Sequence, residues 1–182
     1  MPYTPILGTL GYILDRTTNK VLMIHRNARA NDEHLGKYNG LGGKLERDED
    51  IVSGMKREIR EEAGIEVTTM TLRGSVNWPG FGKNGEDWLG FVFLIEGWTG
   101  EPITQNHEGT LEWIDLTRVL DACSDLVETR DLGSDTAAAA SLPMWPGDKY
   151  FLPLVFNDDS RQFHAHMPYA NGQPIGWQVS WV

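Results

Sequence analysis

The run GGKLERDEDIVSGMKREIREEAGI, residues 42–65, constrains the fold of this chain more than any other stretch. Val52, Met55, Ile59 and Ala63 recur at intervals of three, four and four. That period lines one face of a helix and predicts a helix over residues 48–63 with this stripe against a core. Asp48, Glu49 and Asp50 stand at its start, where negative charge complements the helix dipole. Gly64 follows its last residue and supplies the left-handed stop.

Glu58, Glu61 and Glu62 fall within an arc of roughly 100° on this helix. The arc lies beside the apolar stripe, at the edge of the buried face, whereas Ser53 and Arg60 fall on the solvent side. Carboxylates this close repel one another, and partial burial makes their ionisation costlier. A hard divalent cation resolves both problems. Mg²⁺ takes oxygen ligands and keeps waters and substrate phosphates in its shell. Neither Cys nor His joins the cluster, which argues against a soft-metal site. The competing reading is a solvated helix laced with i,i+4 ion pairs. Gly54 lies one turn before Glu58, where a missing side chain leaves room for a loop or a phosphate. Arg57 precedes Glu61 by four residues and is placed to pair with it. Glycines at 36, 40, 42 and 43 predict an irregular loop ahead of the helix. From that loop the Gly43 carbonyl is a candidate metal ligand.

The rest of the chain reads as a mixture of strands and few helices. Residues 6–14 and 20–25 form strand patterns joined by the turn DRTTN, and residues 27–37 are a polar loop. Residues 89–95 are almost wholly apolar and predict a buried strand, with a shorter strand at 110–114 and a helix over 116–123. Residues 124–141 fit either an insertion loop or a marginal helix. Residues 151–157 and 162–168 read as strands, 170–173 as a turn and 177–182 as a final strand. The pattern is that of an α+β or mixed α/β class, with one domain over residues 1–182.

The formal net charge of -10, with no basic stripe, argues against a nucleic-acid polymer as partner. It leaves room for a nucleotide whose phosphates meet a divalent cation. Cys123 is the single cysteine, so an internal disulfide is excluded. With neither a signal-peptide pattern nor an apolar run of about 20 residues, a cytoplasmic protein without membrane contact is expected. The seven tryptophans suit a core, and equally a pocket that stacks a flat ligand.

Read from Gly43, the run is glycine, five residues, Glu49, seven residues, Arg57-Glu58-Ile59, one residue, Glu61-Glu62, one residue, Gly64-Ile65. It resembles the Nudix box at every specified position. The resemblance implies a mixed β-sheet sandwiched between α-helices, with a loop-helix-loop that holds Mg²⁺ or Mn²⁺. It also implies hydrolysis of a nucleoside diphosphate linked to another moiety. Glu58 and Glu62 then match the main metal ligands, Glu61 a further ligand, Gly43 a carbonyl ligand and Glu49 a supporting carboxylate.

Other segments resemble the MutT-type branch, which hydrolyses oxidised purine nucleoside triphosphates. GKYNGLGGK places Asn39 where that branch hydrogen-bonds the purine. MWPGDKYFLPLVF places Trp145 where the base stacks and Asp148 where the base edge is read. HEGTLEW places Glu108 where the branch carries an extra glutamate near the metal. One departure stands out: Gly147-Asp148 replaces the two adjacent aspartates of the mammalian member. The implied reaction is cleavage at the α–β phosphoanhydride, giving a nucleoside monophosphate and pyrophosphate. Glu61 and Glu108 are both candidates for the base that takes a proton from water. Arg26, ending the second strand, is a candidate phosphate contact, although a surface role is the first reading of its position. Pro79 keeps ADP-ribose or nucleotide-sugar hydrolysis as an alternative, and a non-catalytic nucleotide-binding domain is a third.

Overall fold

The computed structural model describes residues 2–82, 84–124 and 142–182. In chain order the elements are β1 (Ile6–Asp15), β2 (Lys20–His25), β3 (Tyr38–Asn39), α1 (Ile51–Ala63), β4 (Glu66–Trp78) and β5 (Trp88–Thr99). They continue with β6 (Thr110–Asp115), α2 (Leu116–Ser124), α3 (Asp148–Phe156), β7 (Phe163–His166), β8 (Tyr169–Ala170), β9 (Gln173–Pro174) and β10 (Gln178–Trp181). Eight strands make one sheet in the order β10-β7-β4-β5-β1-β2-β3, with β6 also paired to β2. The sheet is mixed: β1 and β5 run parallel, as do β4 and β7, and the other pairs are antiparallel.

Both faces of the central strands are buried. Tyr12 and Leu14 of β1, Val21 and Met23 of β2, and Val92 and Leu94 of β5 enter one core with the apolar sides of α2 and α3. Their alternates Ile13, Leu22, Ile24, Phe93 and Ile95 enter a second core with Met55, Ile59 and Ala63 of α1. A strand covered on both faces needs apolar residues at every position, which explains the continuous run in β5. The sheet is thus sandwiched between helices, as expected. Among the described residues no helix is long and apolar enough to cross a membrane.

Several local expectations are corrected. The helix α1 begins at Ile51, because Asp50 is its N-cap and accepts from the Val52 and Ser53 N–H groups at 2.8 and 3.0 Å. Asp48 and Glu49 lie ahead of it. Val52, assigned to the buried stripe, is 44% exposed at the first turn, before the helix meets the sheet. Gly64 is left-handed as expected, φ 71°, and its N–H donates to the Arg60 carbonyl.

Residues 151–156 are helical, not a strand, and Asn157 is the extended C-cap. The buried residues Phe151, Leu152, Val155 and Phe156 recur at one, three and one, a spacing that suits a helix face although the run is apolar throughout. Pro153 inside α3 removes one N–H, and the Arg73 guanidinium satisfies carbonyls at the helix end, donating to Leu154 and Asn157 at 3.1 Å each. The expectation for residues 124–141 falls, beyond Ser124 at the end of α2, outside the described residues.

Candidate active site

The glycine loop crosses β1 before it reaches α1. The Thr9 and Gly11 N–H groups donate to the carbonyls of Gly43 and Leu41 at 2.9 and 2.7 Å. Gly42 lies at φ 146°, and a Cβ there would stand 2.1 Å from the Thr9 carbonyl oxygen. Only glycine fits this crossing. The conformation turns the Gly42 N–H toward α1, where it donates to Glu62 Oε2 at 2.8 Å. At Gly43 a Cβ would meet Glu58 Oε1 at 2.7 Å, so the bare backbone makes a cradle for that carboxylate. Of the Gly43 carbonyl's two lone pairs, Thr9 takes one.

The three helix carboxylates do not share one environment, which corrects the expectation of a convergent trio. Measured from the buried Ile59, they point about 60° (Glu62), 100° (Glu58) and 160° (Glu61) away around the helix. Their exposure follows that order: Glu62 is 8% exposed, and the side chains of Glu58 and Glu61 are 13% and 59% exposed. Burial pushes the Glu62 carboxyl up to about 8. The Gly42 N–H opposes this, the charges of Glu108 and Glu58 add to it, and Arg26 opposes it. Burial also raises Glu58, against the pull of Arg57.

Arg57 is the hub of the loop-helix junction. Its guanidinium donates to both oxygens of Glu49, at 2.6 and 3.0 Å, to Glu58 at 2.8 Å and to the Lys44 carbonyl at 3.1 Å. The i,i+4 partner expected from sequence, Glu61, is its loosest contact at 3.4 Å. Glu49 also accepts from the Glu46 N–H at 2.8 Å. At Gly54 a Cβ would run into Leu45 Cδ2 at 2.4 Å and Glu49 Oε1 at 2.9 Å. The missing side chain therefore admits the loop, leaving no room for a phosphate.

Glu108 reaches the C-terminal end of α1, beside Glu62, from the loop before β6. The Asn106 side chain holds that loop, accepting from the Glu108 and Gly109 N–H groups at 2.8 and 3.1 Å and donating to the Glu62 carbonyl at 3.0 Å. Arg26 pairs with Glu108 and with Asp32, the latter at 2.7 Å. It is a half-buried tie between two loops, which corrects the surface alternative. Asn106 escaped the sequence reading; a side chain that braces turns shows only in its hydrogen bonds.

Among the described residues, no group of three or more His, Cys, Asp or Glu side chains is gathered closely enough to hold a metal ion between them. The donor set still has the chemistry of a hard-cation site. Glu58, Glu62, Glu108 and the Gly43 carbonyl offer oxygen alone, the missing Cβ at Gly43 makes room for the Glu58 carboxylate, and Glu62 carries a burial penalty that a cation would offset.

A pocket of about 370 Å³ opens beside this junction, and its lining includes Arg26, Asn39, Gly43, Trp145 and Asp148. All four residues expected to contact substrate thus come together from distant parts of the chain. Burial raises Asp148 to about 7. At Gly147 a Cβ would stand 2.0 Å from the Tyr169 hydroxyl, so that phenol fills the space a second aspartate would need. His34, which the sequence reading passed over, lines the pocket too. Its Nδ1 lies 2.7 Å from Trp145 Nε1 and 3.0 Å from Asn39 Nδ2. Four of the five buried side-chain polar atoms without a partner among the described residues belong to lining residues: Thr9 Oγ1, Tyr12 Oη, Asn39 Oδ1 and Trp88 Nε1. Unmet donors and acceptors concentrated in one cleft mark a site for a polar ligand.

Comparison with known proteins agrees with this architecture. The NUDIX domain family matches residues 5–131. Mouse oxidized purine nucleoside triphosphate hydrolase is 28% identical over 140 residues, covering 77% of this chain and 74% of its own. The uncharacterized Nudix hydrolase YvcI of Bacillus subtilis is 28% identical over 144 residues, covering 77% and 73%. The crystal structure of a MutT protein from Bacillus halodurans superposes with a TM-score of 0.73 at 24% identity, over 96% of this chain and 97% of that one.

Proposed function

This chain belongs to the NUDIX domain family and is a hydrolase of phosphoanhydride bonds, and we propose that it cleaves the α–β bond of purine nucleoside triphosphates, oxidised purines among them. The products are a nucleoside monophosphate and pyrophosphate, and residues 1–182 act as one domain. One observation carries the reading: the pocket holding Asn39, Trp145 and Asp148 adjoins the glycine loop that cradles Glu58 and engages Glu62. A flat base at one end of that cleft sets its phosphates toward the carboxylates. The identity with the mouse enzyme supports the choice of substrate.

Glu58, Glu62, Glu108 and the Gly43 carbonyl would hold Mg²⁺ or Mn²⁺. A bound divalent cation supplies charge neutralisation of the phosphates and a more acidic water. The protein does the rest. Trp145 stacks the base, while Asn39 and Asp148 read its edge. At neutral pH the Asp148 carboxyl, raised to about 7, is available both to donate and to accept. Arg57 fixes Glu49 and Glu58, and Arg26 and Asn106 fix Glu108. Glu108 pairs with Arg26 and, in this reading, serves the cation, which leaves Glu61, the loosest partner of Arg57 at 3.4 Å, as the carboxylate to take a proton from the attacking water. It faces solvent and is held only loosely, so it can pass that proton on.

The test is kcat/KM for dGTP, 8-oxo-dGTP and ADP-ribose with Mg²⁺, with products identified by chromatography. 8-oxo-dGTP is expected to be favoured, with release of pyrophosphate. Equal values for dGTP and 8-oxo-dGTP would remove preference for the oxidised base. Preferred hydrolysis of ADP-ribose would replace the triphosphate reading.

A further inference from the structure

His34 sits where three recognition elements meet, on the loop between β2 and β3. Its N–H donates to Asp32 Oδ1 at 2.9 Å, while Asp32 Oδ2 accepts from Arg26 Nε at 2.8 Å. The ring of His34 stands edge-on to Trp145, with centroids 5.2 Å apart and planes at 82°.

Two side-chain nitrogens, from Trp145 and Asn39, converge on its Nδ1 and share the single lone pair there. Trp145 Nε1 is a donor only, and it lies 2.7 Å from His34 Nδ1. That nitrogen must therefore be the unprotonated one, and the ring proton sits on Nε2, which faces Glu33 Oε1 at 3.6 Å. Asn39 presents its amide to the same Nδ1 at 3.0 Å. An amide oxygen there would oppose a lone pair, so the group on Nδ1 is the NH₂. Once this orientation is fixed, Asn39 Oδ1 points away from His34 into the pocket lining, buried and without a partner among the described residues.

We propose that His34 is the positioning residue that sets base selectivity: by accepting from Trp145 and Asn39 on one ring nitrogen, it locks the Asn39 amide with its carbonyl oxygen toward the ligand. The pocket then requires a base that offers an N–H donor at that point. This deepens the triphosphate reading and rests on it for the identity of the ligand, although the lock itself is a property of the protein alone. The surrounding charges suit a neutral ring. Arg26 and Lys37 disfavour protonation, Asp32 favours it, Glu33 lies near Nε2, and burial dominates, holding the imidazole down at about 4.

Two measurements test this on the full chain. The first is ¹⁵N NMR of the histidine rings of the unliganded protein. His34 is expected as the neutral Nε2–H form at pH 7, with the Trp145 indole N–H resonance moving upfield in His34→Phe. An Nδ1–H tautomer or an imidazolium at pH 7 would overturn the lock whatever the substrate proves to be.

The second measurement compares dGTP with analogues that each lack one donor, dITP without the 2-amino group and N1-methyl-dGTP without N1–H. The wild type should lose about tenfold or more in kcat/KM on one of them, because a buried acceptor is left unpaired. His34→Phe should compress that ratio to within about threefold, through KM and with kcat held, because the Asn39 amide is then free to turn over. His34→Asn places an amide oxygen where Nδ1 was and should restore the ratio. A ratio kept in His34→Phe, or a wild type indifferent to every donor, would overturn the selectivity claim. If the wild type hydrolyses none of these triphosphates, the substrate reading fails, and the NMR result alone decides the lock.

Discussion

Arg57 grips Glu49 through two hydrogen bonds of 2.6 and 3.0 Å, tying the second turn of α1 to the loop that precedes it. The same guanidinium reaches Glu58 and the Lys44 carbonyl, so one side chain sets the distance between the glycine loop and the helix carboxylates. A lysine cannot reproduce this fork. Arg57→Lys is expected to fold and to lose on the order of 10–100-fold in kcat, the usual effect of removing a group that orients metal ligands. Steady-state kinetics beside circular dichroism checks this, and an unchanged kcat would assign Arg57 to stability alone.

Adjacent glycines make opposite predictions. At Gly42 an added Cβ collides with the backbone oxygen of Thr9, at a φ that side chains rarely adopt. Gly42→Ala should cost on the order of 2–4 kcal/mol and lower the melting temperature by several degrees. At Gly43 the three atoms nearest an added Cβ all belong to the Glu58 carboxylate, the far end of a flexible side chain. Gly43→Ala should keep nearly the full melting temperature while displacing Glu58 and lowering Mg²⁺-dependent turnover. Equal thermal shifts in the two variants would contradict this division.

Asp148 gives a pH dependence with a definite sign. Its carboxyl titrates near 7 in the folded chain, against about 3.9 when unfolded. Between these values the folded state binds the extra proton, so stability falls as pH rises through that window. Above 7 the loss is complete, on the order of a few kcal/mol. Urea unfolding at pH 5, 6, 7 and 8 should show a shallower decline in Asp148→Asn than in the wild type. Glu62, raised to about 8, continues to contribute to both. Parallel declines would show that Asp148 is not buried as an acid.

The division of labour between Glu61 and Glu108 separates rate from affinity. Glu61→Gln should lower kcat by on the order of 100-fold or more with Mg²⁺ affinity little changed. Glu108→Gln should raise the Mg²⁺ concentration needed for half-maximal rate, because its carboxylate stands beside Glu62. The reverse pattern would exchange the two roles.

Much of this arrangement is legible in the sequence because it is local. The stripe through Met55, Ile59 and Ala63, the stop at Gly64 and the unbroken apolar run of β5 each follow from the pattern along one segment. The strand β4 carries no such period: its register against β5 shifts at Val67/Thr69, Thr69/Met70 and Leu72/Gly74, and the sequence reading offered no element there. The helix α3 reads as a strand in the sequence because an apolar run buried on one side of a helix looks like a buried strand. Glu58, Glu61 and Glu62 were legible as a group, yet their inequality depends on how α1 is seated on the sheet. His34 and Asn106 act through partners far away in sequence, His34 with Trp145 and Asn106 with the end of α1, so no spacing announced them.

Calorimetric titration of Mn²⁺ and Mg²⁺ into the wild type and Glu62→Gln, with hydrolysis assayed on the same samples, tests the account at its centre. Glu62 is protonated below about 8 when no cation is bound, so wild-type uptake at pH 7 should release close to one proton, seen as a dependence of the apparent enthalpy on the buffer. Glu62→Gln should lose that proton release, bind the ion far more weakly and hydrolyse slowly. A variant that took up the ion and turned over substrate as the wild type does would contradict the assignment of these carboxylates.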